Sequence, residues 1–299
     1  MTAPPDTPAP PAPPGDDGAA PAHRPTVGVL GTGRLGRALA TRLAAVPDGP
    51  RLAVADRDRE LATALGRGLA VPALPPARLA AHCAVVLVCV PPPAVAGAIA
   101  ACRTGAPPGP GTVFANLATS LPTAALRADP ALRGATVVGL KPVCQFTAVA
   151  HGVPTPFLTA ATGHLALLRS AVGTLGPVLP VDERAEDAVG AVNRAATRAA
   201  LRACTALRRE LTALTAESAV IDAAVRNVLA GTALDFPPEE ANPYTAALLR
   251  ELAATDGATA TDGTATDGAT APDGTATAIN TPATEPRSVG GTGHPAARP

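Results

Sequence analysis

The sequence predicts an α/β protein, a doubly wound and mostly parallel sheet followed by a small all-helical domain. Three observations predict it. Short β-branched and leucine-rich runs alternate with helical patterns from Thr26 to Asp182. The first of these runs enters a glycine-rich turn that opens directly into a helix. After Glu183 the strand pattern stops, and apolar residues recur every three or four positions. The chain has no Trp, one Tyr and four Phe. Its core must therefore be built from Val, Leu, Ile and Ala, which suits buried parallel strands and closely approaching helices.

The ordered part is expected to be shorter than the 299 residues. Residues 1–24 are rich in Pro and Ala and have neither a basic start nor an apolar run, so they read as a disordered tail and not as a secretory signal. Residues 254–299 open with the near-repeat "ATDGATATDGTATDGATAPDG", which has no large apolar residue to stack, and read as a second disordered tail. Between them we expect a sheet domain over 25–183 and a helical domain over 184–253. The 24 acidic and 24 basic residues balance, which gives nucleic acid or an anionic membrane no electrostatic handle. The apolar run "AVVLVCV" is far short of the ~20 residues needed to span a bilayer. Five cysteines (83, 89, 102, 144, 204) lack paired metal spacing, so no metal site is expected, and their odd number suits a reducing, cytoplasmic setting.

The first strand, turn and helix, "PTVGVLGTGRLGRALATRL", carry the most information. Gly31 permits the tight turn, Gly33 lets backbone approach a pyrophosphate, and Gly36 lets the helix pack on the strand. With Thr32, Arg34 and Leu35 they form a Rossmann-type turn whose helix start offers unpaired N–H groups to phosphate. The second strand, "RLAVAD", ends at Asp56, about 20 residues beyond Gly36, where a carboxylate takes ribose hydroxyls. Asp56 favours NAD, whereas Arg57 and Arg59 can pair with a 2′-phosphate and favour NADP. A solvated charge cluster is the plainer account of "DRDRE", and the choice between NADP and NAD stays open. A third strand ends in "CVPP", which puts Val90 and Pro91 at its carboxyl end, where ligands lie in such sheets. "GTVFANLATSLP" gives a fourth strand, with Asn116, Thr119 and Ser120 past its tip. "ATVVGLK", "PFLTAAT" and "PVLPVD" read as three further strands continuing the sheet, with "HLALLRSAVGTLG" a helix before the last.

This order of segments resembles the pyrroline-5-carboxylate reductase family, within the larger group of reductases similar to 6-phosphogluconate dehydrogenase. The resemblance runs over Thr26 to Gly231. It rests on "VGVLGTGRLGRAL", on "ADR" for the family's Asn-Arg pair, on "VVLVCVPP", and on "ATVVGLKPV" for its arginine-methionine-proline-asparagine stretch. It implies a hydride-transfer enzyme with a dinucleotide-binding Rossmann domain and a helical dimerisation domain. The family's glycine- and serine-rich substrate turn is replaced by "AVNRAATRAAL", a continuous helix former, which points away from proline formation.

In the helical part Val189, Val192, Ala196, Ala199, Ala203, Leu207, Leu211 and Leu214 form one stripe, expected to be buried. Asn193 and Thr197 lie beside it as candidate substrate-holding residues, and Arg194, Arg198 and Arg202 form a ridge that reads by default as a solvated face or dimer rim. "AESAVIDAAVRNVLAG" is a second amphipathic helix with Gly231 as its expected cap. Two such helices cannot enclose a core alone, so a homodimer is expected. Lys141 is the only lysine in the chain. It is expected either to be exposed or to emerge at a strand end as a catalytic group that holds a carboxylate or donates a proton. His151 and His164 are alternative acids. The expected function is NAD(P)-dependent transfer of hydride to a C=N or C=O bond of a small carboxylated substrate. The alternatives are a non-catalytic dinucleotide-binding protein, for redox sensing or assembly, and a deazaflavin-linked NADP reductase.

Overall fold

A computed structural model describes residues 25–104, 109, 111–237 and 243–261. The first unit of the chain ends at Val225 and the second begins at Arg226.

The first unit opens with β1 (Thr26–Leu30), α1 (Arg34–Ala44), β2 (Arg51–Ala55), α2 (Arg59–Leu69), α3 (Pro76–His82) and β3 (Val85–Val88). It continues with α4 (Val95–Cys102), β4 (Val113–Asn116), α5 (Thr123–Ala128) and β5 (Thr136–Gly139). The five strands form one sheet in the order β2-β1-β3-β4-β5, every neighbouring pair parallel. Alternate side chains on a strand point to opposite faces, and here both faces are covered. Val27, Val29 and Leu87 pack with Leu39 and Leu43 of α1 on one side. Leu30, Val86 and Val88 pack with Leu79 of α3 and Ile99 of α4 on the other. Each such side chain contributes about 1.5–3 kcal/mol when fully buried, which is why the runs contain almost nothing but Val, Leu and Ala. Outside β2, Ala73 makes a parallel bridge to Val54, so the outermost strand is reduced to one rung.

The sheet does not continue past β5, contrary to the expectation of three more strands in it. The Leu140 amide donates to the Asn116 carbonyl at the end of the ladder. From there β6 (Lys141–Pro142) pairs antiparallel with β7 (Phe157–Thr159), and β7 pairs parallel with β8 (Val178–Pro180), as a separate three-stranded sheet. Pro142 has no N–H to extend a central ladder, and β6 ends there. Two helices lie along the chain between these strands, α6 (Phe146–Ala150), which packs on α1, and α7 (Leu165–Val172), which packs on β8.

The helix α8 (Glu183–Leu214) follows, 32 residues long, its start capped by Asp182 Oδ1 accepting from the Ala185 amide at 2.7 Å. Glu183 and Glu186 in its first turn suit the positive end of the helix dipole. Glu186, Val189 and Gly190 are buried, and α8 contacts both β6 and β7. Its opening turns thus pack with the second sheet. Beyond Val189 the stripe expected to be buried is largely open, with Val192 50% and Leu214 81% exposed and only Leu207 and Leu211 half-buried. A short helix α9 (Ser218–Ala223) is joined to α8 by an ion pair between Arg208 and Asp222. A π-helical turn, Ala224–Leu229, leads into α10 (Ala230–Leu234). Gly231 therefore lies inside a helix and does not cap one, the cap being Asp235.

In the second unit α11 (Pro243–Thr261) runs past Ala253, the boundary expected for the tail. The remainder of that tail and residues 1–24 lie outside the described residues. No described helix is long and apolar enough to cross a membrane.

Candidate dinucleotide-binding cleft

The turn between β1 and α1 is shaped by sterics. Gly31 has φ +97°, a conformation that L side chains rarely adopt, and its amide donates to the Ala55 carbonyl at 2.8 Å. A Cβ on Gly36 would run into the Gly31 carbonyl oxygen, so only glycine lets α1 start hard against the strand end. Gly33 differs: nothing lies within 4 Å of where its Cβ would stand. It is the N-cap of α1, where N–H groups without intrahelical acceptors and the positive dipole end form an anion site.

Asp56 ties this turn to the end of β2. Its Oδ2 accepts from the Thr32 amide at 2.5 Å and the Thr32 hydroxyl at 2.9 Å, and its Oδ1 accepts from the Asp58 amide at 2.9 Å. Partial burial works to raise its pKa. The hydrogen bonds from the Thr32, Asp58 and Arg57 amides and the Thr32 hydroxyl outweigh that and hold the carboxyl below its ordinary value. Thr32 is buried, its amide and hydroxyl both committed to Asp56. It braces the turn through these two bonds.

Three cavities surround the turn. One of about 640 Å³ is lined by Gly31, Gly33, Asp56, Arg57, Val90 and Pro91, among others. Another of about 400 Å³ is lined by Leu35, Ser120, Gln145, Asn193 and Thr197, among others. The two share Cys89 and Val90, just past the carboxyl end of β3. The strand order reverses between β1 and β3, and the crevice at such a reversal is where open α/β sheets bind ligands. A third cavity of about 530 Å³ flanks α1 and includes Thr32, Gly33, Arg34 and Arg37, with the Arg34 guanidinium 5.3 Å from the centroid of the Phe146 ring. The residues assigned to the cofactor therefore converge on one end of the sheet. Asn193 and Thr197 reach the same place from α8, Asn193 with its Nδ2 donating to the Pro142 carbonyl at 2.9 Å.

Lys141 is placed otherwise. It is 0% exposed and is absent from the described walls of the 400 Å³ cavity. Its Nζ donates to the carbonyls of Ala118 at 2.8 Å and Leu121 at 2.9 Å. Both expectations are thus corrected: the side chain is neither exposed nor aimed at a substrate. Burial lowers its pKa to about 8, against the opposing pull of the Glu186 and Asp187 carboxylates. Glu186 is itself buried, accepting from the Thr123 hydroxyl at 2.8 Å and the Ala160 amide at 2.7 Å. His151 and His164 also lie outside the described lining residues. Of the titratable groups there, Cys89 is pushed up to about 12 by burial and by neighbouring Cys144, and Cys144 to about 11 by burial. Both remain thiols at neutral pH, poor nucleophiles.

Residues 26–110 match the family model described as "NADP oxidoreductase coenzyme F420-dependent". Over this segment the chain is similar to that family. No curated protein matches the chain. Among solved structures, a pyrroline-5-carboxylate reductase from Coxiella burnetii shares 14% identity at a TM-score of 0.62, covering 80% of this chain and 93% of its own. Plasmodium falciparum pyrroline carboxylate reductase with NADP bound shares 14% identity at 0.56, covering 79% and 92%. A reductive aminase from Aspergillus terreus shares 18% at 0.53, covering 70% and 74%. At these identities the likeness is one of fold. The Rossmann domain is followed by a helical region, as the sequence predicts.

Asn116 and Glu186 were not assigned a role from sequence. Asn116 is fully buried, its Nδ2 donating to the Leu121 carbonyl and its Oδ1 accepting from the Ala118 amide, both at 3.0 Å. The polar string "NLATS" at a strand tip is the only sequence signal for this knot.

Proposed function

We propose that this chain is an NAD(P)-dependent oxidoreductase that delivers hydride to a C=N or C=O bond of a small carboxylated molecule. One observation carries the proposal: the 640 and 400 Å³ cavities meet at Cys89 and Val90, and the first of them also takes in Gly33, whose Cβ position is open. A dinucleotide whose diphosphate sits at that turn has room for one half in each cavity. Asp56 and Arg57 mark the first as the adenosine side, and the second takes the nicotinamide with its substrate. A bound reduced nicotinamide supplies the hydride.

The chain's own residues bind and orient. Ser120, Gln145, Asn193 and Thr197 offer neutral hydrogen-bonding groups around the 400 Å³ cavity. An adjoining cavity of about 540 Å³ shares Ser120, Asn193 and Thr197 and adds Arg194 and Arg198, the only charges among its described lining residues. A substrate carboxylate would settle there. With both oxygens of Asp56 engaged by Thr32 and Asp58, and with Arg34, Arg37 and Arg57 around the turn, NADP is the better-matched cofactor. We further propose a homodimer through the open stripe of α8, and a cytoplasmic setting for five unpaired cysteines.

The test is titration of NADPH and NADH fluorescence against wild type and Gly33→Val, followed by turnover on cyclic imines and 2-oxo acids. A valine at 33 meets no protein atom within 4 Å of its Cβ, so the variant should keep its melting temperature yet bind NADPH at least about tenfold more weakly. Unchanged affinity would remove the foundation. Among its described residues the 400 Å³ cavity has no carboxylate, imidazole or ammonium in its wall, an observation that favours the non-catalytic alternative. Tight binding without turnover on either panel supports it. Reduction of coenzyme F420, which the matched family's description names, by NADPH would instead support the deazaflavin-linked reductase.

A further inference from the structure

We propose that Lys141 is a positioning residue, its buried ammonium holding the Ala118–Leu121 turn in the shape that receives the nicotinamide half of the dinucleotide. The inference rests on the dinucleotide reading above. The turn is short, and two clamps fix its ends. Lys141 Nζ gathers the carbonyls of Ala118 and Leu121, 2.8 and 2.9 Å away. Asn116, on the last residue of β4, takes the Ala118 amide on its Oδ1 and gives its Nδ2 to the Leu121 carbonyl. Between the clamped ends stand Thr119 and Ser120, which with Ala118 line the 400 Å³ cavity. None of Ala118, Thr119 and Ser120 is among the described walls of the 640 Å³ cavity. The clamp therefore acts on one half of the cleft only.

A buried ammonium is a costly way to join two carbonyls, because desolvation opposes it. Neutral asparagine already makes two bonds in this turn. An ammonium adds a cation with three donors, which pairs two converging carbonyls from below while Glu186 supplies a nearby countercharge. The residue types are matched to the geometry: every other basic side chain except histidine is arginine, and a guanidinium has a wide planar fork unsuited to a point between two closely spaced carbonyls. This accounts for the one lysine of the chain without giving it contact with substrate.

The full-length protein makes the test direct. With ¹³C-labelled lysine, the wild type shows one side-chain signal, that of Lys141. We expect NADPH to shift this signal and 2′-phospho-ADP-ribose, the adenosine half alone, to leave it in place while still binding by calorimetry. In Lys141→Met, NADPH affinity should fall about tenfold while affinity for the adenosine half stays within about twofold. Gly33→Val should weaken both ligands. A signal that ignores saturating NADPH overturns the inference, and so does a variant that loses both ligands alike or neither. If the variant does not fold, the wild-type signal alone decides. If wild type binds neither ligand, the dinucleotide reading itself fails and this inference falls with it. Binding of the adenosine half but not of NADPH overturns the positioning role and leaves the Gly33 site standing.

Discussion

Lys141 and Asp56 show how one downward shift has opposite consequences for charge, since it keeps a carboxyl ionised and disfavours an ammonium. Burial opposes the charged form of each; Asp56 stays charged because four hydrogen bonds outweigh it, whereas Lys141, bonded to two carbonyls, is brought down to about 8. The consequence for stability follows from linkage. Between about 8 and the ordinary 10.5, the unfolded chain carries more proton on this lysine than the folded one. Stability contributed by the group therefore rises with pH through that window. Below it the desolvated ammonium weighs against folding in full, and near pH 10.5 that penalty is gone. Urea denaturation of wild type and Lys141→Met at pH 7, 8, 9 and 10 isolates the group, since all else titrates alike in both. The difference should move in favour of wild type as pH rises, by up to about 1.4 kcal/mol per unit. A flat difference, or one moving toward the variant, would contradict the burial of the charge. The single lysine signal should titrate with a midpoint near 8 in the same experiment.

The element that joins the two sheets to the cleft is α8. Its fit depends on Gly190, where a Cβ would strike the Thr119 carbonyl oxygen, in the same turn that Lys141 clamps. Gly190→Ala must push either the helix or the turn outward. Overpacking of this kind costs about 1–3 kcal/mol, so we expect a lower melting temperature together with weaker NADPH binding. Loss of stability with NADPH affinity intact would show that the turn does not shape the cleft. On the next turns, Arg194→Ala and Arg198→Ala should raise KM for any carboxylated substrate at least about tenfold and leave NADPH affinity unchanged, which steady-state kinetics checks directly. The elements were unequally legible in the sequence. The strands β1 to β5 could be read because residues such as Val27, Val86 and Phe114 must be apolar on both faces of a covered sheet. The glycine turn could be read because sterics at Gly31 and Gly36 admit no alternative. The break after Gly139 could not, since "TVVGLKPV" is one apolar run and only the pairing of Lys141 and Pro142 with β7 separates it. Nor could the fate of Lys141, because which carbonyls converge on a side chain is a tertiary fact with no period in the sequence.

At the scale of the molecule, what remains to be accounted for is the exposed length of α8. From Gly190 to Leu214 the helix extends for roughly 36 Å, and along it Val192, Ala196, Ala199, Ala203 and Leu214 are all exposed. Alanine is the strongest helix former, so a run of it keeps the helix straight and lets another helix approach closely. A solvated helix of this length gains nothing from a continuous apolar stripe, whereas a stable association needs about 800 Å² from each partner. A second copy of the chain laying the same face against this one would satisfy that need by symmetry. The proposal has a clean variant. Ala199→Glu with Ala203→Glu places charges at exposed positions, retains helix propensity and touches neither cavity wall. In the monomer the double variant should melt as wild type does. In the dimer it buries four carboxylates across the symmetry axis, which like-charge repulsion does not permit. We therefore expect light scattering at micromolar concentration to report a dimer for wild type and a monomer for the double variant, with helix content preserved by circular dichroism. A monomeric wild type would leave the stripe without a partner and refute the dimer. A dimeric double variant would move the interface to another face.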